Sequence, residues 1–272
     1  MNILFRCLGV CLCFITIGFQ PSKQALAAAS KTVAEKYDPA YDPISEQDLI
    51  AAIRSVKTSD DQREILNLRA KHSHLGEIAV DEYEKLVAQH PKNLAYLCGY
   101  IDAYYSMRLV VYHTENPTLF KKQNAGNYQG KMQRLAKTVI KGEGKNRAYC
   151  WEVYGMLQTL YNFVDKGVAA YKKAAELNPT NGRYFSWIAN LYLVKGRYSE
   201  AIAAAQRAAQ ITPNLSTAYR WQAVGYMNLK KYKEAYEAEK ESAEHIDPKA
   251  LSAHRLMRLE AYKKKAEKEG MR

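Results

Sequence analysis

Long apolar runs are nearly absent from these 272 residues. A spanning helix needs roughly 20 apolar residues, and the one run that stands out, residues 7–19, has thirteen and is flanked by Gln20, Pro21, Ser22 and Lys23. No second run approaches that length, so the body of the chain is expected to be soluble. Cysteine is equally sparse. Of five cysteines, Cys7, Cys11 and Cys13 lie too early for a lipoprotein cleavage site, which leaves Cys98 and Cys150. Two cysteines cannot make a disulfide scaffold, and a chain of this size buries an adequate core without one. Cys98 and Cys150 stay open between a single bridge and two buried thiols. Acidic residues are too few to balance the basic ones, and the net charge is +12.

Catalytic and metal-binding constellations are also missing. His72 and His74 are two residues apart, which splays imidazoles on a helix where a spacing of four would align them. Gly142-Glu143-Gly144-Lys145 lacks the spacing of a phosphate-binding loop and the Ser or Thr after its Lys, and it follows no strand, so a flexible loop is expected. Neither remaining cysteine sits in a nucleophile motif. The reading is therefore a protein that is not an enzyme and takes no metal and no cofactor.

What is present begins with the leader. Arg6 supplies a positive charge, residues 7–19 are apolar, and a polar stretch leads to Ala25-Leu26-Ala27 followed by Ala28. This is the layout of a secretory signal peptide cleaved after Ala27; an uncleaved anchor is the alternative. Cleavage removes Arg6 and Lys23 and takes the net charge from +12 to +10. The expected location is secreted or periplasmic, where nucleic acid is a poor candidate partner.

An internal period then sets the architecture. Pro213 lies 34 residues beyond Pro179, and segments 148–181, 182–215 and 216–249 align. The first carries Trp151, Gly155, Tyr171, Ala174 and Pro179. The second carries Phe185, Ile188, Ala189, Tyr192, Gly196, Tyr198, Ala201, Ala208 and Pro213. Tyr219, Ala223, Tyr226, Tyr232 and Ala235 keep the phase in the third, with Ser242 in place of the later alanine and Pro248 one residue late. Physically, this is a pair of helices in close contact. Gly155, Ala189 and Ala223 let the first helix approach, and Ala201, Ala208 and Ala235 do so from the second. Larger residues at helical spacing fill the gaps. Gly196 suits the turn, and each proline closes a second helix. The pattern resembles the tetratricopeptide repeat. That resemblance implies an all-α fold, a right-handed α-solenoid of helical hairpins.

Upstream, Leu66, Asn67, Ala70, Ala79, Tyr83, Leu86 and Pro91 place a further repeat at 60–93, within a divergent repeat region, 45–147. Residues 94–112 and 128–141 read as two helices around an inserted loop, 113–127. Residues 28–44, with two Tyr-Asp-Pro sequences, read as a linker, and Ser45 as the cap of a helix running to about Val56. Residues 250–272 read as a capping helix and basic tail, with Leu251, Leu256, Leu259 and Tyr262 covering the last repeat.

By analogy with the family, first helices line a concave groove. The exposed groove positions would be Tyr149, Glu152, Met156, Arg183, Ser186, Asn190, Thr217, Arg220 and Val224. Such side chains suit an extended peptide or protein partner, with Arg183, Asn190 and Arg220 holding carbonyls or a carboxylate. The family's clamp for acidic chaperone tails is not matched, because Ser186 and Trp221 stand where its Lys and Asn would be. The implied function is a non-catalytic interaction scaffold or adaptor of the periplasm or cell envelope. The alternatives are an envelope structural component, or a binder of anionic envelope polymers through its basic surface. Residues 108–147 hold nine basic and two acidic residues, and the tail 249–272 has a net charge of +5.

Overall fold

The computed structural model describes residues 45–55, 76–114, 128–246 and 253–270. The leader, the linker, His72, His74, Leu251 and most of the inserted loop lie outside the described residues, as do Leu66, Asn67 and Ala70. Among the described residues every regular element is helical. In order these are α1 Glu46–Arg54, α2 Gly76–Gln89, α3 Leu94–Thr114, α4 Tyr128–Lys141, a 3₁₀ turn Glu143–Asn146, α5 Ala148–Leu160, α6 Val164–Leu177, α7 Arg183–Val194, α8 Tyr198–Ile211, α9 Ser216–Asn228, α10 Tyr232–Glu244 and α11 Ala253–Gly270. The chain divides after Tyr161 into two compact units. Segment 148–181 thus gives α5 to the first unit and α6 to the second.

In the first unit Ser45 caps α1, its Oγ accepting from the Asp48 N–H at 3.1 Å, which satisfies a donor that the first turn leaves open. Asn93 caps α3 in the same way, accepting from the N–H groups of Ala95 and Tyr96. α2 packs on α1 and α3, and α3 also packs on α4 and α5. Tyr83, Tyr100, Ile101, Met132, Val153 and Leu157 are buried between these helices. Residues 142–145 are not the flexible loop expected. Gly144 is buried under the end of α4, where a Cβ would stand 2.5 Å from the Val139 carbonyl oxygen and 2.7 Å from its Cγ1. The missing side chain lets the turn close against both α4 and α5.

In the second unit each helix from α6 to α10 packs on its successor, and α7 also packs on α9, the stacking of a helical solenoid. Ala201, Ala205, Ala208, Ala223 and Ala235 are fully buried, so small side chains do sit where helices meet. The 34-residue period is written in the backbone as well. Asn162, Gly196 and Lys230 have φ of 58°, 71° and 60°. After the last two, the Arg197 N–H reaches the Tyr192 carbonyl and the Lys231 N–H the Tyr226 carbonyl, both at 2.9 Å. This left-handed closure uses up carbonyls at the end of a first helix. Tyr262 of α11 packs on Ala223, Met227, Ala235 and Ala238. Leu256 does not cover the last repeat and is 52% exposed. At 3.6 residues per turn it stands about 120° around the helix from Tyr262.

Candidate partner-binding faces

The nominated groove positions fall in both units and are far less open than expected. On α5, Tyr149 and Glu152 are only 6% and 4% exposed. The Tyr149 hydroxyl donates to Asp102 Oδ2 of α3 at 2.9 Å, because the face of α5 that carries it is packed on α3. Met156 is half-buried. On α7, Ser186 and Asn190 are each 4% exposed, while Arg183 is exposed. Here the cause is the contact between α7 and α9, in which Ser186 Oγ donates to Thr217 Oγ1 at 3.0 Å. The Asn190 Nδ2 is buried with no hydrogen-bond partner, a state that costs about 1–3 kcal/mol. Thr217, Arg220 and Val224 of α9 are half-buried. The Arg220 guanidinium lies 4.5 Å from the centre of the Trp221 ring, an attractive cation–π contact.

Sequence reasoning missed two participants on α11. Arg258 donates Nε and Nη2 to Glu239 Oε1 at 2.9 and 2.5 Å, and Glu239 is completely buried. One turn earlier, Arg255 Nη1 reaches Ser216 Oγ at 3.5 Å. Burial pushes the Arg255 guanidinium below its ordinary value; Glu239 opposes this, and Arg258 and Arg220 add to it. Arg255 of α11 thus feels Glu239 of α10 as well as the guanidiniums of Arg258 and Arg220. The i, i+3 spacing of Arg255 and Arg258 put both on one helix face, but only the fold shows what that face meets.

The first unit holds a separate basic feature. A surface cavity of about 560 Å³ is lined by Leu94, Lys141, Gly142, Glu143, Lys145, Asn146 and Arg147. Its three cations face one carboxylate, an excess that attracts anions with a strength that salt reduces.

Residues 182–215, which span α7, α8 and their closing turn, match the tetratricopeptide repeat family. Among similar solved structures is a thermophilic TPR protein of Thermus thermophilus, 14% identical, covering 80% of this chain and 98% of that one with a TM-score of 0.52. MamA is 16% identical over 70% of this chain and 95% of its own, with a TM-score of 0.49. The TPR2B domain of yeast Sti1, solved in a complex with pHsp70, is 21% identical over 45% of this chain and 97% of its own, with a TM-score of 0.41. No curated protein sequence matches the chain. At these identities the likeness is one of fold, an all-α helical solenoid that contains a tetratricopeptide repeat.

Proposed function

We propose that the protein is a non-catalytic interaction scaffold that works in the periplasm or cell envelope and binds an extended protein segment bearing carboxylate groups. The observation that carries this reading is the placement of two guanidiniums on α7 and α9, Arg183 exposed and Arg220 half-buried. Cations held in partly desolvated surroundings attract a carboxylate more strongly than solvated ones do, and guanidinium geometry matches it in two-pronged fashion. Arg183, exposed on α7, suits the carbonyls of the same segment. Export is supported by the leader pattern of residues 1–27.

The test is cross-linked affinity capture from envelope extract at low and high salt, comparing the leaderless chain with a variant carrying Arg183, Asn190 and Arg220 changed to Ala. A protein retained at high salt by the parent and lost by the variant supports the scaffold. Capture that ignores the variant overturns it.

The cavity lined by Lys141, Lys145 and Arg147 favours one second reading, binding of anionic envelope polymers. Screening over roughly 10 Å at 0.1 M salt would abolish such binding as salt rises, whereas contact in a partly desolvated site persists.

A further inference from the structure

We infer that Cys98 and Cys150 form an intrachain disulfide joining α3 to α5, and that the bond is made while the first unit folds and is sealed once it has folded. The two Sγ atoms lie 2.7 Å apart although the residues are 52 positions apart in the chain. They are the only cysteines beyond the leader, and they sit on helices that pack directly on each other. Small side-chain rotation brings sulfurs at this separation to the ~2.05 Å of a covalent bond.

Both side chains are closed off, with Cys98 0% and Cys150 3% exposed. No carrier or reductant reaches a sulfur in that position without the unit opening. The folded thiol is also a poor reactant. Burial pushes Cys98 well above the ordinary thiol value, and its contact with Cys150 and the nearby Asp102 carboxylate act in the same direction. Exchange proceeds through the thiolate, which is therefore scarce in the folded state. In forming the bond each thiol gives up its proton and the two sulfurs join. The two electrons pass to a disulfide of the thiol–disulfide carrier class, which leaves as two thiols. The redox state of the pair consequently records the compartment in which the chain folded. Bond formation in the cell rests on the export reading; its formation in solution does not.

The experiment uses the chain from Ala28 to Arg272, refolded from denaturant in a mixture of reduced and oxidised glutathione. The expected product is lighter than the fully reduced chain by two hydrogens, carries no alkylatable thiol, and gives a linked Cys98–Cys150 peptide pair on digestion. Refolded chain that keeps two free thiols, or that carries glutathione on either, overturns the bond. Timing is tested on chain folded in reductant: no labelling by a thiol reagent in native buffer and full labelling of both thiols in denaturant is the expected pair of results. Equal labelling rates in the two conditions overturn the sealed state. Full-length chain produced with its leader separates this inference from export. Chain recovered from the envelope fraction with two free thiols sinks the disulfide and leaves export standing, whereas a refolded chain that forms the bond keeps the disulfide even if the leader fails to export.

Discussion

The recurrence of positive φ at Asn162, Gly196 and Lys230 makes one backbone site available with three different side chains. Lys230 is the strained member, because an L residue with a Cβ in the left-handed region costs roughly 1–2 kcal/mol. Its side chain is exposed, so replacing it removes no packing. Lys230→Gly relieves the strain and adds back the greater freedom of glycine in the unfolded chain, about 0.4–1 kcal/mol. The net expectation is a gain of about 0.5–1 kcal/mol. Gly196→Ala runs the comparison backwards. A Cβ there would meet only the tip of Tyr198, at 3.9 Å, so no clash contributes and the expected loss is again about 0.5–1 kcal/mol. Asn162→Gly should change little, since Asn tolerates this region. Urea unfolding of the leaderless chain, followed by helical circular dichroism, reads all three as shifts in midpoint at constant slope. Lys230→Gly that is no more stable than the parent, or Gly196→Ala that is as stable, would refute the claim that these closures are set by backbone strain.

Arg258→Ala leaves the buried Glu239 carboxylate without its partner and should cost about 3–5 kcal/mol, read by thermal unfolding and by faster proteolysis of α11. The double change Glu239→Leu with Arg258→Met should recover most of it, and a double variant as weak as the single one would count against a charge effect. Gly225→Ala would place a Cβ 2.6 Å from Ile202 Cγ1 and should destabilise by about 1–3 kcal/mol through overpacking between α8 and α9. Glu84 is bonded by Lys131, which holds its carboxyl below the ordinary carboxylate value. Its contribution is therefore complete above the unfolded value and fades as pH falls through the lowered folded one. Glu84→Gln should weaken the protein near neutrality and flatten its acid limb, and an unchanged acid limb in a pH titration of the urea midpoint would dismiss the pair.

Much of the scaffold was legible because it is made locally. The cap at Ser45, the turn at Gly196 and the alanines at helix contacts each follow from interactions within a few residues or from a fixed repeat length. The helices expected at 94–112 and 128–141 appear within two residues of those bounds. The candidate site was less legible. The family analogy names Tyr149, Glu152, Ser186 and Asn190 as groove positions, but the packing of α5 on α3 and α7 on α9 buries them. The loop expected at 142–145 is instead a closed turn, with Gly144 held against Val139.

The sequence by itself determined helices, their 34-residue spacing and the turns between them, because short-range sterics and small-residue contacts repeat with the chain. Only the tertiary structure decided which polar groups meet: Arg258 with Glu239, Ser186 with Thr217, Tyr149 with Asp102, and Cys98 with Cys150. Those pairs lie 19 to 52 residues apart, and their encounter depends on how helices distant in sequence pack, which local patterns do not encode.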